Sequence, residues 1–215
     1  KVLLIEYTYL FTRGEMIKQR LAAQILKLKD DRSPAAKTEI LRIVSAADCL
    51  QLKIDTKNLI HYIDTSVTFS NQDRGEVLHE LQNEYFLNFD KKNIEGLHPI
   101  RSSHLLQLLH STLPLSDTFI NLYQLLNEPD RQNYFRNVPL LLEREECKEF
   151  YYGISKVLAQ GPYINMVYAL NGVSHAEPQK YWLKNQKQFD EVFQIGALDL
   201  FIIHTIPGKK INTLD

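Results

Sequence analysis

The sequence predicts a mainly α-helical protein: a helical segment, a winged-helix domain of three helices with a small β hairpin, and a C-terminal α-helical domain. Two observations carry this. Apolar side chains recur at i, i+3, i+4 and i+7 along most of the 215 residues, the period of a helix with one buried face. Near the middle, Tyr85-Phe86-Leu87-Asn88-Phe89 and Ile94-Glu95-Gly96-Leu97 flank the polar turn Asp90-Lys91-Lys92-Asn93, the pattern of a hairpin. Composition agrees: 44% hydrophobic and 24% charged residues are the mix of a soluble globular chain. The longest apolar runs, residues 2–5 and 198–203, fall far short of the ~20 residues of a membrane span.

The first unit is expected over residues 1–32. Leu3, Leu4, Tyr7, Leu10 and Phe11 mark a helix face, Thr12-Arg13-Gly14 a break, and residues 15–29 a second helix. The winged-helix unit is expected over residues 33–112. Ser33 is its first N-cap, with Pro34 at the first helical position. A helix follows over 35–50, an extended run over 52–54, a helix over 56–63 capped by Asp55, a loop over 65–71 and a helix over 73–83. The hairpin comes next, then a helix over 100–110. Helix, strand, helix, helix, hairpin is the order of a helix-turn-helix core with an added wing. The C-terminal unit spans 113–215, with helices expected over 117–126 behind a Ser116 cap, 140–159, 163–170 and 178–193. Residues 198–205 read as a strand or a buried helix end.

Charge and cysteine content exclude several classes. Lys and Arg number 25 against 26 Asp and Glu, a net −1, so there is no global field for nucleic acid or an anionic membrane. Cys49 and Cys147 are too few for a disulfide framework or a four-ligand zinc site. They read as small core hydrophobes and fit a reducing, cytoplasmic setting. No initiator Met or signal peptide is present, and Lys1-Val2-Leu3 starts inside an apolar pattern. The chain is therefore expected to be a piece of a longer protein.

No phosphate loop, GxGxxG, HExxH or GxSxG occurs, so no self-contained active site and no metal are expected. His104 and His110 sit six apart on one helix, on nearly opposite faces, and cannot share a metal. One constellation stands out: Gly96-Leu97-His98-Pro99-Ile100-Arg101-Ser102. It puts a histidine where the hairpin ends and a helix begins. Backbone N–H groups at a helix start favour anions. His98 can donate to a phosphate oxygen and Arg101 can pair with it bidentately. The bland alternative is that His98 caps the helix or satisfies a buried carbonyl, with Arg101 on a solvated face.

Residues 1–112 resemble the region that follows the nucleotide-binding domain in STAND-class P-loop NTPases, the NACHT and NB-ARC group. LLIEYTYLFTRGEMIKQRLAAQI is similar to the helical segment after the nucleotide-binding core, and EILRIVSAADCLQLKIDTKNLI to the start of the winged helix. Leu97-His98-Pro99-Ile100-Arg101 resembles the family's MHD element, with Pro99 where the family has Asp. The resemblance implies that His98 contacts the β-phosphate of ADP held by an upstream nucleotide-binding domain, with Arg101 as a second ligand-binding residue. It implies a regulatory region that senses nucleotide state and acts as a lever for assembly, in prokaryotic antiviral defence or stress signalling. Catalysis would lie upstream, in a parent ATPase. The implied partners are that upstream domain, further copies of the chain on activation, and a protein trigger met by residues 113–215.

Two other classes compete. A DNA-binding winged helix would read through residues 73–83, but residues 33–112 hold eight basic and ten acidic side chains, against the basic patch such modules carry. A protein-interaction module would use the aromatics of residues 113–215, among them Tyr123, Tyr134, Phe150, Tyr152 and Tyr163. They read as core unless they form a contiguous exposed patch.

Overall fold

The computed structural model describes residues 15–29, 33–66, 74–111 and 113–193. Among them are nine helices and a three-stranded antiparallel sheet. In chain order these are α1 (Glu15–Lys29), α2 (Pro34–Cys49), β1 (Ile54–Asp55), α3 (Thr56–Ser66), α4 (Arg74–Asn83), β2 (Leu87–Phe89), β3 (Asn93–Gly96), α5 (Pro99–Leu109), α6 (Leu115–Leu125), α7 (Glu128–Leu141), α8 (Arg144–Ala159) and α9 (Tyr163–Phe193). The helix expected over 2–12, residues 67–71 of the expected loop and the run at 198–205 lie outside the described residues.

Helix α2 is the hub of the N-terminal part. Nine of its side chains are buried, Ile40, Leu41 and Val44 among them, so it is covered on most sides. Helices α1, α5 and α6 and strand β3 all lie against it. Helices α2 and α4 end alike. Leu52 N–H donates to Ala47 O and Gln51 N–H to Asp48 O; Phe86 N–H donates to Leu81 O and Tyr85 N–H to Gln82 O. These are Schellman closures, and the left-handed residue is Gln51 (φ 57) in one and Tyr85 (φ 59) in the other, where glycine is usual.

The sheet order is β1-β3-β2, with Ile54 opposite Ile94 and Leu87 opposite Gly96. The expected hairpin is present, and β1 joins it as a third strand. Asp90 builds the turn: its Oδ1 accepts from Lys92 N and Asn93 N, both at 2.7 Å. Those two donors hold its carboxyl below the usual range. Asp55 caps α3 as expected, its Oδ1 accepting from Lys57 N at 2.9 Å and Asn58 N at 3.2 Å.

Several expected boundaries move, each for a local reason. Ser33 precedes α2, but its left-handed backbone (φ 53, ψ 48) gives no side-chain cap, because capping needs extended dihedrals. Thr65 and Ser66 are helical and not loop; Thr65 Oγ1 donates to the Tyr62 carbonyl at 2.9 Å. Ser116 lies inside α6 and donates to Glu149 Oε2 at 3.4 Å. The start of α6 is served instead by Glu146, whose Oε1 accepts from Leu115 N. The expected helix over 140–159 is two helices broken at Leu142-Glu143, where Glu146 Oε2 accepts from Glu143 N. The two helices expected over 163–170 and 178–193 are one. Pro178 sits inside it on an exposed face, and its missing N–H leaves one carbonyl of the preceding turn without its helical donor.

The C-terminal helices pack α6 on α8 and α7 on α9. Tyr123, Tyr134, Phe135 and Phe150 form their aromatic core, and the Tyr134 hydroxyl donates to Phe119 O at 2.5 Å. Gly172 lets α9 meet α7: a Cβ there would lie 2.7 Å from the Phe135 carbonyl carbon. These aromatics are core, as the bland alternative held. Tyr152 and Tyr163 are exposed.

Candidate functional site

The constellation singled out in the sequence lies where β3 hands over to α5. Gly96 ends the strand against the end of α2. A Cβ at Gly96 would come within 2.5 Å of Ser102 Oγ and 2.6 Å of Asp48 Oδ2, so any larger residue would have to displace these two side chains. Asp48 is half-buried. Burial pushes its carboxyl above the usual value, a hydrogen bond from Ser102 and the nearby His98 pull it down, and Glu95 pushes it up.

His98 is the N-cap of α5, with extended dihedrals (φ −168, ψ 135) and Pro99 at the first helical position. Its Nδ1 accepts the Ile100 N–H at 3.2 Å. The chemistry of that bond sets the tautomer. An acceptor Nδ1 carries no proton, so in the neutral ring the proton is on Nε2. The capping role raised from sequence is therefore present, and it also orients the ring with Nε2 as the donor atom.

Arg101 lies one turn into the helix and is held by α1. Its Nη2 donates to Gln24 Oε1 at 3.1 Å. Gln24 Nε2 in turn donates to the Glu84 carbonyl at 3.2 Å. The guanidinium stands 5.8 Å over the Phe86 ring. Burial, and next the charge of Arg20, lower its pKa from an ordinary arginine value. The two candidate residues are thus near in sequence and held by different partners: His98 by its own helix, close to Asp48, and Arg101 by α1 and Phe86.

Sequence reasoning missed Asp48, Gln24 and Arg20, and it included Ser102 in the constellation without giving it a role. Asp48 and Gln24 are remote in sequence from the His98 motif, and no local spacing reports a contact of that range. A second polar feature also escaped it. Glu39, Tyr62, Thr65, Ser66, Asn121 and Gln124 line an open cleft of about 440 Å³ between α2, α3 and α6. There the Tyr62 hydroxyl donates to Glu39 Oε1 at 2.8 Å and Arg42 Nη1 to Glu39 Oε2 at 3.3 Å. Burial and the Glu39 charge push the Tyr62 hydroxyl well above its ordinary value. The hydroxyl therefore keeps its proton at neutral pH.

Among the described residues, no group of three His, Cys, Asp or Glu side chains could hold a metal ion. No described helix is long and apolar enough to cross a membrane. No family model matches this chain, and no curated protein and no solved structure shows significant similarity to it.

Proposed function

We propose that this chain is the nucleotide-sensing regulatory region of a STAND-type NTPase, with residues 33–112 as its winged helix. What supports the winged helix is the order α2-β1-α3-α4-β2-β3, the order expected of that fold. What carries the sensing role is one observation: His98 follows the last strand, caps α5, and is oriented as an Nε2 donor. A residue that joins the strand to the helix start, with its ring held by that helix start, moves with the helix when the helix shifts against the sheet.

In this reading ADP or ATP binds to an upstream domain, and His98 donates to the β-phosphate in the resting state. Such a charge-assisted bond contributes about 1.5–3 kcal/mol, which shifts a two-state population by one or two decades and does not lock it. Arg101 acts as the lever's fastening, since its bond to Gln24 ties α5 to α1. The reaction itself belongs to the parent ATPase, in a cytoplasmic defence or stress pathway of a prokaryote. Residues 113–215 start the arm that meets a protein trigger. The exposed stripe of Tyr163, Met166 and Leu170 on α9 favours that role, because such apolar patches mark contact surfaces.

The test is the oligomeric state of the longest natural protein that contains these residues, read by light scattering with ADP and with ATP. The expected result is monomer with ADP and assembly with ATP, and assembly with either nucleotide once His98 is replaced by Asp. Identical mass with both nucleotides in the unaltered protein would overturn the reading.

A further inference from the structure

A buried thiol and a lysine amine meet at the seam of α8 and α9. Lys180 Nζ lies 3.0 Å from Cys147 Sγ. The same ammonium donates to Pro139 O at 3.0 Å and Leu142 O at 2.9 Å, the carbonyls at the end of α7. Its three N–H groups thus have three acceptors, so the amine is pinned, unlike a surface lysine that samples many rotamers. One turn away, the Tyr151 hydroxyl donates to Glu177 Oε1 at 2.6 Å. Cys147 and Tyr151 follow each other on α8, while Lys180 and Glu177 run in the opposite direction on α9. These are two rungs of one antiparallel register, and the second rung holds the first in line. Cys147 is buried, 5% exposed.

We propose that Cys147 and Lys180 form a redox-sensitive pair that a peroxide converts into a covalent sulfur–nitrogen cross-link between α8 and α9. The Cys147 thiolate attacks one peroxide oxygen. The O–O bond breaks, hydroxide leaves, and the sulfur becomes a sulfenic acid, oxidised by two electrons while the peroxide is reduced. The Lys180 ammonium gives a proton to that hydroxide, forming water. The free amine then attacks the sulfur; the S–N bond forms, the S–O bond breaks, and the departing hydroxide takes the second amine proton as water. The pair loses two hydrogens in all, and two waters are formed from one peroxide. A thiol reductant reverses the reaction by attacking the sulfur and releasing the amine. Sulfenic acids condense with nitrogen in this way when one is held beside them, and the register of α8 and α9 holds one here. The cross-link would fasten the middle of α9 to α8, making the rigidity of this helix pair depend on peroxide.

The test treats the 215-residue chain with hydrogen peroxide, blocks remaining thiols, digests it and reads the peptides by mass spectrometry. The expected result is a linked pair of peptides containing Cys147 and Lys180, lighter than their sum by two hydrogens (about 2 Da) and separated by dithiothreitol. The pair should be absent from Lys180→Arg, which keeps the charge near the α7 carbonyls, and from Cys147→Ser. In Lys180→Arg the thiol should instead proceed to sulfinic acid. The linked peptide is read in the unaltered chain, so the test stands whether or not either variant folds. Recovery of Cys147 unlinked in the unaltered chain, with the same oxidation products as in Lys180→Arg, would overturn the proposal.

Discussion

The Lys37 ammonium lies 2.6 Å from the Glu80 carboxylate, and the Lys37 side chain is almost wholly shielded from water. This ion pair fastens α4 to the hub helix α2. Taking away one partner of a buried pair costs about 3–5 kcal/mol, whereas replacing both by neutral groups is often close to neutral. Glu80 is partly exposed, so the lower end applies. Glu80→Ala should lower stability by about 3 kcal/mol in urea unfolding. Adding Lys37→Met should restore most of that loss. If the double variant were less stable than Glu80→Ala, the charge would not be what the single variant exposes.

The closure of α2 should improve with glycine. Gln51 holds a left-handed backbone at φ 57 and is exposed, so its side chain gives little in return for the strain. Left-handed backbone costs a residue with a Cβ about 1 kcal/mol. Gln51→Gly should therefore raise the urea midpoint with an unchanged slope. A fall in the midpoint would show that the side chain contributes more than its backbone costs.

His110 links α5 to α6, with Nδ1 3.1 Å from Leu113 O and Nε2 3.1 Å from Thr118 Oγ1. Nδ1 must donate to the carbonyl, so Nε2 accepts from the hydroxyl. Burial is the main cause that lowers its pKa; the Leu113 bond, Glu39 and Glu146 oppose this and Arg42 adds to it. A depressed pKa in the folded state means that the unfolded chain takes up the proton first. The contribution is whole above the unfolded value of about 6.5 and is lost as pH falls through the folded value. Stability of the unaltered chain should therefore decline below neutral pH more steeply than that of His110→Gln. Equal slopes would remove His110 from the acid response.

The parts of the fold that sequence made legible are those set by neighbours along the chain. Asp90 builds its turn from the next three residues, and Asp55 caps the helix that follows it. His98-Pro99 likewise marks the start of α5. The misread parts depend on distant partners. The start of α6 is satisfied by Glu146 from α8 and not by the adjacent Ser116. Helix α7 has no counterpart among the expected elements: a polar first half, Glu-Pro-Asp-Arg-Gln-Asn, and Pro139 near its end both argue against a helix. It forms because Tyr134, Phe135 and Val138 are buried in the C-terminal core, a tertiary gain that propensity does not contain. At the candidate site, His98 and Arg101 were legible as chemistry. That Asp48 stands beside one and Gln24 holds the other was not.

His98 carries two roles in the proposed function: it caps α5 and it senses a bound diphosphate. The direct measurement is the nucleotide that co-purifies with the longest natural protein containing these residues, unaltered and with His98→Asp. Aspartate caps a helix well but repels a phosphate, so it separates the two roles. ADP is expected in the unaltered protein, with about a tenfold or greater loss in His98→Asp and the helical circular dichroism unchanged. Equal ADP in both would leave His98 a helix cap and nothing more, and an unaltered protein without nucleotide would refute the sensing role altogether.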